Sequence, residues 1–251
     1  RQTRDALGND ALLIALDEFE ELEEKISRNM LPPDLLKVLR GYVQMDPRIA
    51  FVFAGLHTLE EMSADYFQPF FASVIPVKVS FLSREATFQV LANPPDPDFP
   101  LDYAPEALER IWELTGGQPY LAQWIGHCLV SRFNDLTFER GRPQESVFQE
   151  ADVEAVIRAG DFFTGAQYYF SGVWGQAARG APGQHTVLKV LASHPGGLSV
   201  EELRKMGNLS APALQKALEE LERHDVLCRN GEVWRFTVEL MRRWVAKYIP
   251  D

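Results

Sequence analysis

The residues best placed to do chemistry are an Asp-Glu pair that follows an apolar run, in the segment LLIALDEFEE over residues 12–21. The run has the length of a strand buried on both faces, as in a parallel sheet covered by helices. A carboxylate at the carboxyl end of such a strand lies where ligands bind in open α/β sheets. Asp17 could therefore hold a nucleotide-bound Mg²⁺ through water, and Glu18 could orient an attacking water. The alternative is that Asp17 only caps the acidic helix that follows.

A second segment, AFVFAGLHT over residues 50–58, has the same order of buried strand and polar end. Carboxyl ends of neighbouring parallel strands meet at one edge of a sheet, so this end is expected beside Asp17. His57 or Thr58 could then contact a γ-phosphate. The alternative for His57 is an ordinary loop histidine.

The third segment is TGGQPYLAQ, residues 115–123. Gly117 and Pro119 position the start of a helix, and helix N-termini favour anions. The alternative is a plain corner between two helices.

The elements that must position these residues change type along the chain. Strands are predicted over 11–16, 48–55 and 75–82 with helices between them, which indicates a parallel α/β sheet. From Ser83 onward the pattern is helical. The fold class expected is therefore α/β and then all-α.

The last seventy residues have a pattern of their own, which begins after the loop RGAPG at 179–183. They carry 10 basic and 9 acidic residues, against 15 and 27 in the rest of the chain. Helices are predicted near 184–193, 199–206 and 211–223, followed by a hairpin around Asn-Gly and a closing helix over 238–249. This order predicts a winged helix-turn-helix.

Composition excludes several classes of protein. The 251 residues are 46% hydrophobic and 24% charged, and the net charge of −11 argues against a general binder of nucleic acid or of anionic membranes. The longest apolar runs hold six residues, and a membrane span needs about 20. The two cysteines form no CxxC pair, and the five histidines show no metal-ligand spacing. A cytoplasmic protein without a membrane segment is expected.

Cys128 and His127 are adjacent, which raises the possibility of a thiol–imidazole pair. Adjacent residues of a helix point in different directions, so a buried cysteine is the favoured interpretation.

Together these features resemble the AAA+-like P-loop ATPases, in their signal-transduction (STAND) and archaeal-type branch. LLIALDEFEEL resembles the Walker B strand, FVFAGLHT the sensor-1 strand and GGQPYLAQ the GxP motif of the helical lid. IPVKVSFLSREATFQVL resembles the passage from the sheet into that lid, and a winged helix after the lid is also the family's order. The resemblance runs from about residue 11 to residue 250.

The resemblance implies a cytoplasmic, prokaryotic protein with three domains. These are the C-terminal part of a P-loop ATPase core over 1–82, a helical lid over 83–178 and a winged helix over 182–251. It implies ATP or ADP with Mg²⁺ as cofactors and a conformational switch as the function of the intact protein.

The same resemblance assigns roles to single residues. Asp17 takes the Mg²⁺ role and Glu18 the water-activating role. Gly55 stands where the family often has a Gly-Ser pair. Because Leu56 follows it here, the polar sensor is displaced onto His57 or Thr58.

Two further positions take nucleotide-binding roles by resemblance. Arg84 becomes a candidate phosphate contact, and a solvated arginine at a helix start is the alternative. Gly117 and Pro119 belong to a motif that packs near the nucleotide in the family.

A P-loop also requires GxxxxGK[ST], and no glycine of this chain is followed by lysine. We therefore expect a fragment that begins inside the ATPase domain. Such a chain should bind ATP poorly and hydrolyse it negligibly by itself. Exposed strand edges could also drive homo-oligomer formation.

The predicted recognition helix, 211–224, argues against DNA as a partner. Its outward residues are predicted to be Gln215, Lys216, Glu219, Glu220, Glu222 and Arg223. With three acids against two bases, this surface repels phosphates, so protein partners or other domains of the same chain are favoured. Two alternatives stay open: an origin-recognition-like ATPase that binds DNA, and an interaction module that uses no nucleotide.

Overall fold

The computed structural model describes residues 10–19, 21–45, 48–55, 75 and 77–249. The chain divides into two compact units, residues 1–78 and residues 79–251. Each unit is considered by itself below.

The first unit contains a parallel pair of strands joined by two helices. The elements are β1 (Leu12–Leu16), α1 (Glu21–Ser27), α2 (Leu35–Met45) and β2 (Ile49–Phe53). The strands pair in parallel, from Leu12 opposite Ile49 to Leu16 opposite Phe53. Because parallel strands need a crossover connection, the two helices between them are the expected linkage. The predicted strand–helix–strand order is confirmed here.

The two faces of this pair differ in exposure. Phe19, Ile26 and Leu36 form a buried cluster, and Phe53 of β2 packs against it. On the opposite face the apolar side chains are exposed, with Leu13 65% and Val52 49% accessible. The helices therefore cover one face of the strand pair.

The prediction of a strand over residues 75–82 is wrong for the residues that the structure describes. Residues 77–82 form no strand, and Val77 and Val79 are 79% and 89% exposed. A strand requires a neighbouring strand to accept and donate its backbone hydrogen bonds, and no such neighbour pairs with these residues in the described chain. The alternation of apolar residues in the sequence does not show whether a neighbouring strand is present.

The second unit begins with a helical region, residues 84–179. Its helices are α3 (Arg84–Ala92), α4 (Pro105–Thr115), α5 (Pro119–Asn134), α6 (Glu150–Arg158), α7 (Phe162–Gly165) and α8 (Gln167–Arg179). A π-helical turn, Asp135–Glu139, extends α5, and two short strands, β3 (Asp102–Tyr103) and β4 (Val147–Phe148), pair in parallel. Local signals explain several boundaries: the Ser83 hydroxyl accepts the Ala86 N–H at the start of α3, and Pro105 and Pro119 begin α4 and α5.

The C-terminal region, residues 184–248, completes the second unit. Its elements are α9 (Gln184–Ala192), β5 (Leu198–Ser199), α10 (Val200–Gly207), α11 (Ala211–Arg223), β6 (Leu227–Asn230), β7 (Val233–Phe236) and α12 (Glu239–Tyr248). The three strands form an antiparallel sheet in the order β5-β7-β6. The helices and the hairpin appear as predicted, although the two turn residues are Gly231 and Glu232 rather than Asn-Gly.

One hydrophobic core runs through both regions of the second unit. It extends in sequence from Leu91 to Val245 without a break between the helical and C-terminal regions. The ring of Phe170 on α8 stacks on Trp244 of α12, with centroids 5.8 Å apart. Burial of this shared apolar surface is therefore the main force holding the two regions together.

Phe170→Ala should lower the free energy of unfolding by about 3–5 kcal/mol, because Phe170 is fully buried and its removal leaves a cavity. Urea unfolding followed by tryptophan fluorescence measures this loss. Tyr168→Ala is the matched control, since Tyr168 lies on the same helix and is 83% exposed. A Tyr168→Ala loss as large as that of Phe170→Ala would contradict the described core.

Candidate functional site

The carboxyl ends of β1 and β2 are tied together by two backbone hydrogen bonds. The Ala54 N–H donates to the Leu16 carbonyl at 2.9 Å, and the Phe19 N–H donates to the Ala54 carbonyl at 3.0 Å. The chain after β1 thus turns back onto the end of β2. Asp17, Glu18 and Gly55 therefore lie at the same edge of the strand pair, as the sequence predicts.

Asp17 is exposed at this edge and has one carboxylate oxygen engaged. Its Oδ1 accepts the N–H of Glu18 at 2.9 Å. Helix α1 begins at Glu21, whose N–H donates to the Glu18 carbonyl at 3.0 Å. Within the described residues the Asp17 carboxylate holds the turn before the helix, and no hydrogen bond there engages Oδ2. That oxygen suits a hard cation or its bound water.

Glu18 has an unusual backbone conformation. Its φ is +51°, in the left-handed region that residues with a side chain rarely adopt. Such a conformation costs on the order of 1–3 kcal/mol and concentrates at functional sites, where the surrounding structure imposes it. Glu18 is exposed in this conformation.

Acidic charge dominates the start of α1. Glu21 pairs with Lys25 at 2.6 Å, and that hydrogen bond is the main cause that lowers the pKa of Glu21. The pKa of Lys25 is raised, first by Glu21 and to a smaller extent by the charge of Glu18. Lys25 thus offsets part of the negative charge near Glu18.

The remaining residues predicted for this edge are only partly described. Gly55 is exposed two residues beyond β2. His57 and Thr58 lie outside the described residues, so their contact with a γ-phosphate stays a prediction. In the described part of the chain, no cluster of three or more His, Cys, Asp or Glu residues could hold a metal ion by protein ligands alone. A single carboxylate would fit Mg²⁺ that is held mainly by phosphates and water.

Arg84 lies in the second unit, where its side chain is already engaged. Its Nε donates to Glu109 Oε2 at 2.7 Å, and its guanidinium lies 4.4 Å from the ring centroid of Phe88. The arginine therefore joins α3 to α4. A phosphate at this position would compete with Glu109, and the phosphate role of Arg84 stays a prediction.

Gly117 and Pro119 lie in a corner between α4 and α5 that is satisfied by its own groups. Gln118 caps α5, since its Oε1 accepts the Leu121 N–H at 2.7 Å, and Pro119 has no N–H to offer. Gly116 and Gly117 both have positive φ, +57° and +79°. The structure thus shows a built corner here, and its proximity to a nucleotide stays a prediction.

Sequence reasoning missed what the two glycines are for. A Cβ on Gly117 would collide with the carbonyl of Leu82, and a Cβ on Gly116 would collide with the carbonyl of Thr237. The Leu82 N–H also donates to the Gly117 carbonyl at 2.9 Å. The Gly-Gly signal was visible, but its partners lie 35 and 121 residues away in the sequence and could not be inferred from it.

Glu220 was predicted to point outward from α11, and the structure shows instead that it is engaged by the linker. Its carboxylate accepts the Ala181 N–H at 2.6 Å and the Gln184 Nε2–H at 2.6 Å. It therefore holds the linker that precedes α9. Four charged residues of this helix remain exposed: Lys216, Glu219, Glu222 and Arg223.

The adjacent Cys128 and His127 diverge as expected. His127 is exposed and stacks on Trp124, with ring centroids 5.4 Å apart. Cys128 is half-buried, and burial raises the pKa of its thiol to about 11. A thiol with that pKa holds little thiolate at neutral pH, which disfavours nucleophilic chemistry.

Comparison with solved structures identifies the fold. A Walker-type ATPase of Pyrococcus abyssi superposes with a TM-score of 0.60 at 15% sequence identity, over 92% of this chain and 62% of its own length. The fold of this chain is similar to that of this Walker-type ATPase. RuvB of Thermotoga maritima, a Holliday junction branch migration motor, matches with a TM-score of 0.44 at 12% identity, over 93% of this chain and 70% of its own.

Comparison of the sequence itself gives no relative. No protein-family model matches the chain, and no curated protein matches it. The chain spans less than two thirds of the Pyrococcus ATPase, so the likeness of fold concerns that shared part alone. None of the helices in the described ranges is long and apolar enough to cross a bilayer.

The left-handed backbone at Glu18 predicts that glycine is more stabilising than alanine at position 18, which is the reverse of the usual order. Glu18→Gly should be about 1 kcal/mol more stable than Glu18→Ala, because glycine adopts positive φ without a steric cost. At Asp17, whose φ is not positive, Asp17→Gly should be less stable than Asp17→Ala. Urea denaturation of the four variants measures both differences. The same order at both positions would show that Glu18 is unstrained.

The half-buried thiol of Cys128 should be alkylated slowly. We expect this in a Cys228→Ser variant, where Cys128 is the one remaining cysteine. At pH 8 a thiol of pKa about 11 holds about 100-fold less thiolate than one of pKa 9, so iodoacetamide should react about 100-fold more slowly with the folded than with the unfolded protein. The folded-state rate should still be rising at pH 10. Equal rates in both states would refute the burial of Cys128.

Proposed function

We propose that this chain is part of an ATP-dependent P-loop ATPase in which Asp17 and Glu18 serve the nucleotide. The observation that carries the proposal is the exposed Asp17–Glu18 pair at the carboxyl edge of a parallel strand pair. Ligands bind at this edge in open α/β sheets, and the fold is that of a Walker-type ATPase.

Asp17 is proposed to hold Mg²⁺ through water. Its Oδ1 accepts the Glu18 N–H, which leaves Oδ2 for a metal-bound water. Mg²⁺ bound to ATP would neutralise charge that develops on the phosphates. Asp17 contributes orientation and one negative charge, because Mg²⁺ keeps several waters and takes one or two carboxylates.

Glu18 is proposed to orient the attacking water and accept its proton. Glu18 has a left-handed backbone and is exposed directly after Asp17, beyond the end of the strand. Two adjacent carboxylates in different backbone conformations can take different roles, one for the metal and one for water.

The finer assignments belong to the same proposal. The protein would be a cytoplasmic switch of the STAND type, with the phosphate-binding loop GxxxxGK[ST] outside residues 1–251 and a possibility of homo-oligomers through strand edges. Residues 83–178 would be its lid and residues 182–251 a winged helix, which the order of α9, α10, α11, the β6–β7 hairpin and α12 supports.

Protein partners, or other domains of the same protein, are proposed for the C-terminal region. Two exposed acids of α11, Glu219 and Glu222, balance two exposed bases, Lys216 and Arg223. A helix that reads DNA carries an excess of positive charge toward the phosphates, and this one does not.

Sequencing the coding DNA upstream of the Arg1 codon tests the proposal at the level of the gene. We expect an in-frame strand followed by GxxxxGK[ST], because phosphate binding requires backbone amides and a lysine that this chain lacks. A start codon directly before Arg1 would contradict the proposal and favour a module that uses no nucleotide.

In the full-length product, Glu18→Gln should lower ATP turnover by at least about 100-fold while ATP affinity changes less than about threefold, because the base is lost and the charge on the metal side is kept. Asp17→Asn should weaken Mg²⁺-dependent ATP binding instead. Steady-state ATPase assays and equilibrium titration with ATP separate the two effects.

Glu24→Gln is the matched control, since Glu24 is an exposed acid of α1, the helix that follows Glu18, and it pairs with Arg28 at 2.5 Å. It should leave both turnover and affinity unchanged. Unaltered turnover in Glu18→Gln would reject the role of Glu18, whereas equal losses in all three variants would indicate a general effect on folding.

A further inference from the structure

The segment that enters the helical region, Ser80–Leu82, contacts two distant parts of the second unit. Leu82 is held by the Gly-Gly corner, because its N–H donates to the Gly117 carbonyl at 2.9 Å. Ser80 is held by the C-terminal region, because its Oγ–H donates to Asp225 Oδ2 at 2.9 Å. One short segment is thus attached both to the α4–α5 corner and to Asp225, two residues before β6.

The same corner contacts the second strand of the β6–β7 hairpin, at the hairpin base. Thr237 directly follows β7, and its carbonyl lies where a Cβ of Gly116 would stand. The Thr237 N–H donates to the Val226 carbonyl at 3.0 Å, which closes the hairpin at its open end. Asp225 and Thr237 therefore mark the two chains at the base of one hairpin.

The geometry requires glycine at both corner positions for two separate reasons. Gly116 and Gly117 have positive φ, which disfavours any other residue. Each is also approached by a backbone carbonyl, from Thr237 and from Leu82, that cannot rotate away as a side chain would. The corner thus packs directly against the backbone of the entering segment and against the backbone of the hairpin base, with no room for a side chain at either glycine.

We infer that the Gly116–Gly117 corner is a mechanical joint that links the entering segment to the β6–β7 hairpin. A displacement of Ser80–Leu82 is transmitted to the hairpin base along two routes: through Asp225 directly, and through Gly117, Gly116 and Thr237. The hairpin is the part of the protein that this movement displaces, and its Gly231–Glu232 turn lies at the end opposite the base.

Further contacts keep the C-terminal region from pivoting independently of the helical region. Gln176 Nε2 on α8 lies 3.0 Å from His224 Nδ1 at the end of α11. The Glu220 carboxylate holds the linker through Ala181 and Gln184. The joint therefore acts on a C-terminal region that is already docked, so a change at Ser80–Leu82 alters the hairpin without releasing the whole region.

Amide hydrogen exchange of the full chain tests the joint. In Gly116→Ala the amides of residues 226–237 should exchange at least about tenfold faster than in the wild type, because a Cβ forces Thr237 away and loosens the hairpin base. Amides of α5 should keep their protection. Gly141→Ala is the matched control, since Gly141 has φ +60° and its Cβ would meet nothing within 4 Å.

Equal exchange at 226–237 in Gly116→Ala and Gly141→Ala would overturn the inference, because backbone strain alone would then explain both variants. Thr237→Val is a second control. The contact with Gly116 is made by the Thr237 backbone carbonyl, and the Thr237 hydroxyl is buried without a hydrogen-bond partner in the described chain. This variant should leave the hairpin as protected as in the wild type.

Ser80→Ala keeps the inference testable if Gly116→Ala does not fold. Loss of one hydrogen bond that is partly exposed should raise exchange at 226–237 by about fivefold. Ser83→Ala, which removes the cap of α3 three residues later, should raise exchange in α3 and leave 226–237 unchanged. An unchanged hairpin in Ser80→Ala would overturn the direct route from the entering segment to the hairpin through Asp225.

Discussion

Parallel pairing of β1 with β2 is the constraint from which the candidate site follows. Two parallel strands cannot be joined by a tight turn, so the chain must cross over through α1 and α2, and both strands then end at the same edge. The hydrogen bonds between Leu16, Phe19 and Ala54 extend this pairing beyond the strands themselves. That extension places the turn containing Asp17 and Glu18 against the end of β2, and Glu18 has a left-handed backbone within this turn.

The second unit depends on a different constraint, which is steric. Apolar burial joins the helical and C-terminal regions through residues such as Phe170 and Trp244, but burial alone is not directional. Direction comes from the Gly-Gly corner, where Leu82 and Thr237 approach the backbone too closely for any side chain. In the proposed joint, a displacement of the entering segment would reach the hairpin through contacts that cannot yield by rotamer changes.

Local signals predicted most of the elements and one edge of the site. The apolar run before Asp17 gave β1, the Ser83 and proline signals gave the starts of α3, α4 and α5, and the short turn gave the hairpin. These features depend on residues within a few positions of each other. The placement of Asp17 beside Gly55 also followed from the sequence. The order strand, helix, strand indicates parallel strands, and the carboxyl ends of parallel neighbours meet at one edge of the sheet.

Features that depend on distant partners could not be predicted. The strand expected over 75–82 has the right residue pattern, but pairing needs a neighbour that the pattern does not contain. Glu220 looked like an outward charge because helical periodicity does not reveal the linker at Ala181. Arg84 looked available for phosphate because Glu109 lies 25 residues away and only the fold brings it near.

Paramagnetic NMR with Mn²⁺ in place of Mg²⁺ tests the central claim, that the edge holding Asp17 is the metal–nucleotide site. In the full-length product, with millimolar ATP and substoichiometric Mn²⁺, the amide signals of Asp17, Glu18 and Gly55 should broaden first, and Asp17→Asn should abolish that selectivity. Exposed acids of the C-terminal region, Glu201, Glu219 and Glu222, report non-specific binding. Equal broadening at these three residues, unchanged in Asp17→Asn, would contradict the account.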